Sequence, residues 1–254
     1  MHPGRAGKEP SPFQPSDAFT PAHAGTSHWC APMTPIEPPR INAPQLPPLI
    51  ASDPGTDCDG ESFTEAQLSW TDDEASTIGA EMGDSRLTRL PADTLHARRL
   101  RLAEVEVSNP VVVSWNAPRS SWRGVVVDGG SIGVLDCSGA RWDNVLLTGV
   151  RIGYLNLREA MLSDVSLAGC RIGTLDAAGA STTRVALANC QVEDLDLRNR
   201  KGEHLDLRGL DVVRLNRVDG ADSLVGATLT EQQARWLGPV LGRALGITIT
   251  EEEP

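Results

Sequence analysis

Between Gly79 and Thr228 the chain repeats a five-residue pattern whose second and fourth positions are apolar and whose third is polar, as in Asn144-Val-Leu-Leu-Thr148 and Tyr154-Leu-Asn-Leu-Arg158. Of the sixty second and fourth positions in these thirty units, fifty are Ala, Val, Leu, Ile, Met, Cys or Trp; only six of the thirty third positions are apolar. Side chains one residue apart along an extended segment project to the same side. Each unit therefore sends two apolar groups inward and one polar group outward, and then turns a corner. A coarser period of twenty overlies this one: blocks beginning at Gly124, Asn144, Asp164, Arg184 and His204 align without a gap. Four units per block predict a four-sided coil, with Gly129, Gly149, Gly169 and Asn189 at one of its corners. Seven and a half coils stacked at the strand separation of ~4.8 Å make a shaft roughly 35 Å long. Such a stack is quasi-one-dimensional, and both of its ends need capping.

The units Glu159-Ala-Met-Leu-Ser163, Asp194-Leu-Asp-Leu-Arg198 and His204-Leu-Asp-Leu-Arg208 resemble degenerate forms of the pentapeptide repeat, Ala-[Asp/Asn]-Leu-x-x. The resemblance covers residues 79–229 and implies an all-β solenoid, a right-handed quadrilateral β-helix. Departures from the pattern are frequent: Leu and Val often replace the small residue, and Phe is absent from the central position. A leucine-rich repeat has unequal sides and no period of five, and a left-handed hexapeptide helix has a period of six.

Reading down the columns locates the weak parts of the shaft. One inward column runs Trp122, Trp142, Leu162, Thr182, Gly202, Asp222, from large apolar to small and then polar, which predicts loosening toward the C-terminus. Arg200, Arg217 and Asp222 also fall on inward positions, where an unpaired charge costs several kcal/mol. A bulge or loop at 199–203 and decay of the coil after about 216 are therefore expected.

The flanks differ in composition. Thirteen of the eighteen prolines lie between Pro3 and Pro54, and residues 1–83 hold three basic and twelve acidic residues, most of the net charge of -11. Residues 1–60 are read as a disordered, Pro-rich acidic tail with local polyproline II. Residues 61–78 are read as an irregular first coil or cap to the 61–229 solenoid. At the other end Thr230-Glu-Gln-Gln233 forms a capping box, opening a helical cap over 230–254. Gly238-Pro239 is expected to divide this cap into two short helices, with Gly246 ending the second and Ile247 and Ile249 alternating as a short strand. The segment from Gly226 resembles the terminal segment of actinobacterial-type pentapeptide proteins. Family precedent implies that Trp236, Leu237, Val240, Leu241 and Leu245 serve as a cap or as a homodimer interface.

The acidic balance argues against direct phosphate binding, and no apolar run is long enough for a membrane span. With no basic-then-apolar leader pattern either, a cytoplasmic location is expected. The five cysteines show no zinc spacing: Cys30 and Cys58 lie in the tail, while Cys137, Cys170 and Cys190 are inward and read as small buried hydrophobes. The five histidines are scattered, and no nucleophile elbow, phosphate loop or dinucleotide fingerprint appears. No catalytic, metal or cofactor site is expected. The outward third positions Asp136, Asn156, Asp176, Asp196 and Asn216 form a twenty-residue ladder, read as a solvated hydrogen-bonding face and a candidate interaction surface. Family resemblance implies one further role, a DNA mimic that binds DNA gyrase or topoisomerase IV and protects against quinolones. Arginines 141, 151, 171 and 184 along the shaft offset the acids, so the leading expectation is a noncatalytic protein-interaction scaffold whose partner is unknown.

Overall fold

A chain that buries two side chains in every five and then bends has to stack coil on coil, because a single coil leaves its backbone edges unpaired. The computed structural model describes residues 35–211, 217–219, 221–244 and 246–249. In it the expected all-β solenoid is formed: a right-handed quadrilateral β-helix of about eight turns. Eight-residue strands such as Arg141–Thr148 alternate with six-residue strands such as Arg151–Asn156. Pairing is parallel, like with like, in an eleven-stranded and an eight-stranded sheet. The register is constant along the body: Trp142 pairs with Trp122 and Leu162, and Leu155 with Leu135 and Leu175.

Three of the four corners use residues in the left-handed region. These are the middle of the long strand (Asn144, φ 55°; Asp164, φ 54°), the bend that follows it (Gly149, φ 64°; Asn189, φ 53°), and the turn 157–160. In that turn Glu159 has φ 56° and the Ala160 N–H returns to the Leu157 carbonyl at 3.1 Å. The corner positions expected at 129, 149, 169 and 189 all have positive φ. Beside the fourth corner three successive coils carry glycine for a different reason, with Val113 and Glu193 at the same position in the coils on either side. Gly133, Gly153 and Gly173 stack so closely that a Cβ on Gly153 would lie 2.6 Å from the Gly133 carbonyl oxygen.

Inside, the coil 141–160 buries Trp142, Val145, Leu147, Val150, Ile152, Leu155, Leu157 and Ala160. The outward Asn156 between two of them stays half-buried. Four tryptophans, Trp70, Trp115, Trp122 and Trp142, are wholly enclosed. Trp122 and Trp142 stack at 4.9 Å and 14°, and Trp115 meets Trp122 at 5.2 Å. None of the four indole N–H groups has a hydrogen-bond partner, a cost of about 1–3 kcal/mol each that ring burial has to outweigh.

Loosening of the Leu162–Thr182–Gly202 column takes the form of an internal cavity of about 30 Å³ bounded by Leu162, Thr182 and Arg200. The loop expected at 199–203 is not formed. Lys201–Asp206 is a strand in full register with Ser181–Ala188. Arg200 does point inward and is buried, but it is not unpaired: Nε and Nη2 donate to the Ser223 carbonyl (3.0 and 2.9 Å), Nη2 also to that of Val225 (2.6 Å), and Nη1 to Thr182 Oγ1 (2.5 Å). The inward charge is solvated by main-chain oxygens of the segment that closes the shaft, so the coil has no need to bulge. Regularity does fall away beyond it. Asp194 pairs with Arg217 and Leu205 with Ala227, offsets larger than twenty, and Ala221–Leu224 is a short 3₁₀ helix. Residues 212–216 and the side chains of Arg217 and Asp222 lie outside the described residues.

At the N-terminal end the pairing of Ala66–Ser69 with the next strand shows a register shift between Leu68 and Ser69. Of the tail, residues 1–34 lie outside the described residues. Residues 36–60 are not the disordered tail expected: from Ile36 the chain runs along one corner of the shaft, where main-chain N–H groups of Glu37, Arg40 and Asn42 find side-chain acceptors, and Ile50–Ser52 joins the larger sheet beside Ala66–Ser69. At the C-terminal end there is one helix, α1 (Glu231–Ala244), rather than two, and it passes through Pro239. Pro239 has no N–H to donate to the Arg235 carbonyl and its ring crowds that carbonyl; Gly238 before it, with no Cβ, removes only the further clash between the ring and a preceding side chain. Gly246 ends the helical segment with φ 75°. Ile247 and Ile249 form no strand and are exposed.

Candidate functional site

Parallel in-register stacking brings the third-position ladder into one column: Asp136 pairs with Asn156, Asn156 with Asp176, and Asp176 with Asp196. Asn216 lies outside the described residues. Each member caps the turn that follows it, its side-chain oxygen accepting the N–H two residues on. Ser138 N–H reaches Asp136 at 3.0 Å, Arg158 reaches Asn156 at 3.1 Å, Ala178 reaches Asp176 at 3.1 Å and Arg198 reaches Asp196 at 3.0 Å. Asn156 Nδ2 also donates to Asp136 Oδ1 at 2.9 Å, joining two coils. An amide between carboxylates converts like-charge repulsion into a hydrogen bond.

The ladder is not the solvated face its outward register suggests. Asp176 and Asp196 are only 5% and 6% exposed. Arg158 Nη1 lies 3.1 Å from Asp176 Oδ2, and Tyr154 donates its hydroxyl to the same oxygen at 3.0 Å. Arg198 grips Asp196 through Nε and Nη2, the latter at 2.5 Å. Arg198, two residues along the chain, folds over Asp196, and Arg158, from the preceding coil, folds over Asp176. The Arg198 side chain holds the Asp196 carboxyl below its ordinary pKa against the opposing effect of burial, and Arg208 does the same for Asp206. Burial, followed by the bond to Asp176, raises the Tyr154 hydroxyl.

The capping box is formed as expected: Thr230 N–H donates to Gln233 Oε1 at 2.8 Å and Gln233 N–H to Thr230 Oγ1 at 3.1 Å. Gln233 has a second task that its motif does not announce. Its buried Nε2 donates to the carbonyls of Leu207 (2.8 Å), Arg208 (3.1 Å) and Leu210 (2.8 Å), satisfying the backbone of the last complete coil. Of the residues assigned to the cap, Leu237 is buried, Leu241 half-buried and Trp236 60% exposed. The Val240 side chain and Leu245 lie outside the described residues.

Cys137, Cys170 and Cys190 are buried free thiols. Cys170 and Cys190 are stacked as expected, with Sγ atoms 3.4 and 3.2 Å from the Leu147 and Leu167 carbonyls. The hydrogen bond toward Cys170, together with burial, raises the Cys190 thiol, and burial above all raises Cys137. Among the described residues no three His, Cys, Asp or Glu side chains converge as a metal site, and no helix is long and apolar enough to cross a membrane. The larger cavities are open grooves on the flat faces, such as one of about 370 Å³ lined by Arg171, Ile172, Gly173, Gln191 and Glu193.

One contact surface escaped the sequence reading, the corner carrying Asn144, Asp164 and His204, against which residues 37–42 are laid. A faint signal was present: at the corner where Gly124 stands, the following coils carry Asn, Asp, Arg and His, polar groups able to reach beyond the shaft.

No protein-family profile matches the chain, and no curated protein does. Solved structures that it is similar to include two trypsin-treated variants of QnrB1, a plasmid-mediated fluoroquinolone resistance protein. One is 12% identical with a TM-score of 0.24, covering 80% of this chain and 100% of that one. The other is 17% identical with a TM-score of 0.23, covering 80% and 98%.

Proposed function

We propose that this chain is a pentapeptide-repeat protein that acts as a noncatalytic scaffold for protein–protein interaction. The observation that supports this reading is the use made of the repeat. The coils of the body spend most of their inward residues on a continuous apolar core and present the outward ones as ladders at strand spacing, on two sheets of eleven and eight strands. Long flat faces of regularly spaced polar groups suit an extended partner surface better than a small substrate. The full-length chain, immobilised and compared with a variant carrying Asp136→Lys and Asn156→Lys on the less buried part of the ladder, tests the reading: a partner retained by the first and lost by the second supports it, and equal retention by both counts against it.

DNA mimicry toward a type II topoisomerase is the weaker reading. Mimicry requires free carboxylates where phosphates would stand, whereas Asp176 and Asp196 are covered by Arg158 and Arg198. Unchanged gyrase supercoiling at high molar excess of the protein disposes of it; salt-sensitive inhibition, lost on Asp176→Lys and Asp196→Lys, would restore it. Homodimerisation through the cap is favoured by the exposed Trp236, and sedimentation of the Trp236→Ser chain beside the natural one decides it.

A further inference from the structure

Three residues of one corner column hold the main chain of a proline-containing segment. Asn144, Asp164 and His204 each occupy the left-handed corner of a long strand, with φ between 54° and 55°. Asn144 pairs with Asn42 as one strand pairs with another: Oδ1 accepts the Asn42 N–H at 2.8 Å and Nδ2 donates to the Asn42 carbonyl at 3.0 Å. Asp164 Oδ1 accepts the Arg40 N–H at 2.8 Å. His204 Nδ1 accepts the Glu37 N–H at 3.1 Å, which places the imidazole proton on Nε2. In the coil between, Arg184 turns sideways and clamps the Asp164 carboxylate at 2.7 and 2.6 Å, fixing that acceptor.

The spacing matches an extended chain. At ~3.1 Å per residue, the three residues from Glu37 to Arg40 span ~9 Å, against ~9.6 Å for two coils of the shaft. Arg40 to Asn42 spans ~6 Å, against ~4.8 Å for one coil. The intervening Pro38 and Pro39 have no N–H to satisfy and hold the backbone extended. The side chains of Glu37, Arg40 and Asn42 are exposed, while Ile36, Pro39 and Ile41 are half-buried and Pro44 is buried, so the corner reads backbone donors at a two- and three-residue spacing and the apolar side chains of the segment add packing to that reading. Over residues 36–49 the segment forms no strand of either sheet; a short series of polar contacts and the burial of Pro44 hold it, an attachment smaller than that of a long sheet strand and so among the first to open locally.

We propose that the Asn144–Asp164–His204 corner is a docking track for an extended, proline-containing segment of a partner protein, and that residues 36–44 are its resident occupant. This deepens the scaffold reading and rests on it for its biological sense, but its test needs no partner to be known. The probe is a fluorescein-labelled peptide with the sequence of residues 35–46, PIEPPRINAPQL, followed by anisotropy. The full-length chain carrying Arg40→Pro and Asn42→Pro lacks two of the three docking donors and so holds its own segment more weakly, leaving the track open to competition. It is expected to bind the peptide about tenfold more tightly than the natural chain, and Asn144→Ala added to it is expected to cost about tenfold, the effect of one lost amide pair. Far-ultraviolet circular dichroism confirms that each variant is folded. Absence of binding to the doubly substituted chain, equal binding to the natural chain, or indifference to Asn144→Ala overturns the proposal. The scaffold reading fails on a different result, equal partner retention by the ladder variant above.

Discussion

Gln233→Glu isolates what the cap does for the end of the shaft. The substitution keeps shape and volume and keeps the acceptor for the Thr230 N–H, but replaces the Nε2 donor with an oxygen facing the carbonyls of Leu207, Arg208 and Leu210. Losing a net ~1 kcal/mol of hydrogen bonding and orphaning at least one buried carbonyl at ~1–3 kcal/mol, with an uncompensated buried carboxylate added at neutral pH, cost about 4 kcal/mol or more. Because coils interact only with their neighbours, the loss should stay local. Hydrogen exchange read by mass spectrometry should show Lys201–Asp206 losing close to a thousandfold in protection, while Ser121–Asp128 and Arg141–Thr148, further down the same sheet, keep theirs. A buried carboxyl with no cation beside it has a raised pKa, so the variant should regain part of the protection as the pH is lowered and the new carboxyl becomes a donor. Natural protection of Lys201–Asp206 in the variant at pH 7 would refute the role given to Nε2. Uniform loss along the whole shaft would refute the local character of the end.

Other expectations follow from single contacts. The carboxyls of Asp164, Asp196 and Asp206 lie below their ordinary pKa, through Arg184, Arg198 and Arg208 respectively. Their contribution is complete above the unfolded carboxylate pKa of about 4 and is lost as the pH falls through the lower folded values; Asp196→Asn should flatten the acid limb of the melting temperature against pH. Leu157→Arg puts a charge into a coil where Leu157 is 3% exposed and should cost several kcal/mol in urea unfolding. Asn156→Ser one residue away keeps an acceptor for the Arg158 N–H and should cost about 1 kcal/mol or less; equal costs would undo the inward and outward assignment. Gly149→Asn should be nearly neutral, since Asn189 holds the equivalent corner at φ 53°, whereas Gly153→Ala drives a methyl against the Gly133 carbonyl and should lower the melting temperature measurably.

How far the sequence reached can be traced residue by residue. The period of five fixes which side of the strand a residue faces, and Leu155, Leu157 and the stacked Trp122 and Trp142 all lie where it puts them. It does not fix depth. Asp176 and Asp196 point outward and are nonetheless covered, because Arg158 and Arg198 fold over them, contacts that depend on rotamers rather than on period. Arg200 looks like a fault when read down its column, since the oxygens that solvate it belong to Ser223 and Val225, in a segment where the twenty-residue register has shifted. Pro239 reads as a break and the helix nonetheless runs through it, with Gly238 before it offering no Cβ to the ring. The docking of Glu37, Arg40 and Asn42 was out of reach: it uses their main-chain N–H groups, joins positions more than a hundred residues apart, and leaves no mark in the identity of the residues docked.

The unbroken twenty-residue register has a consequence for how such a chain tolerates changes in length. Excision of residues 141–160 would remove one whole storey and bring Ala140 against Met161 with every column intact. Excision of nineteen would invert the faces of all that follows, turning apolar groups to solvent and acids to the core. Length in this molecule is therefore phase-locked. Its shaft can grow or shrink by storeys while its girth, its corners and its two closures stay the same, and circular dichroism of the two excised chains would tell a shortened fold from a scrambled one.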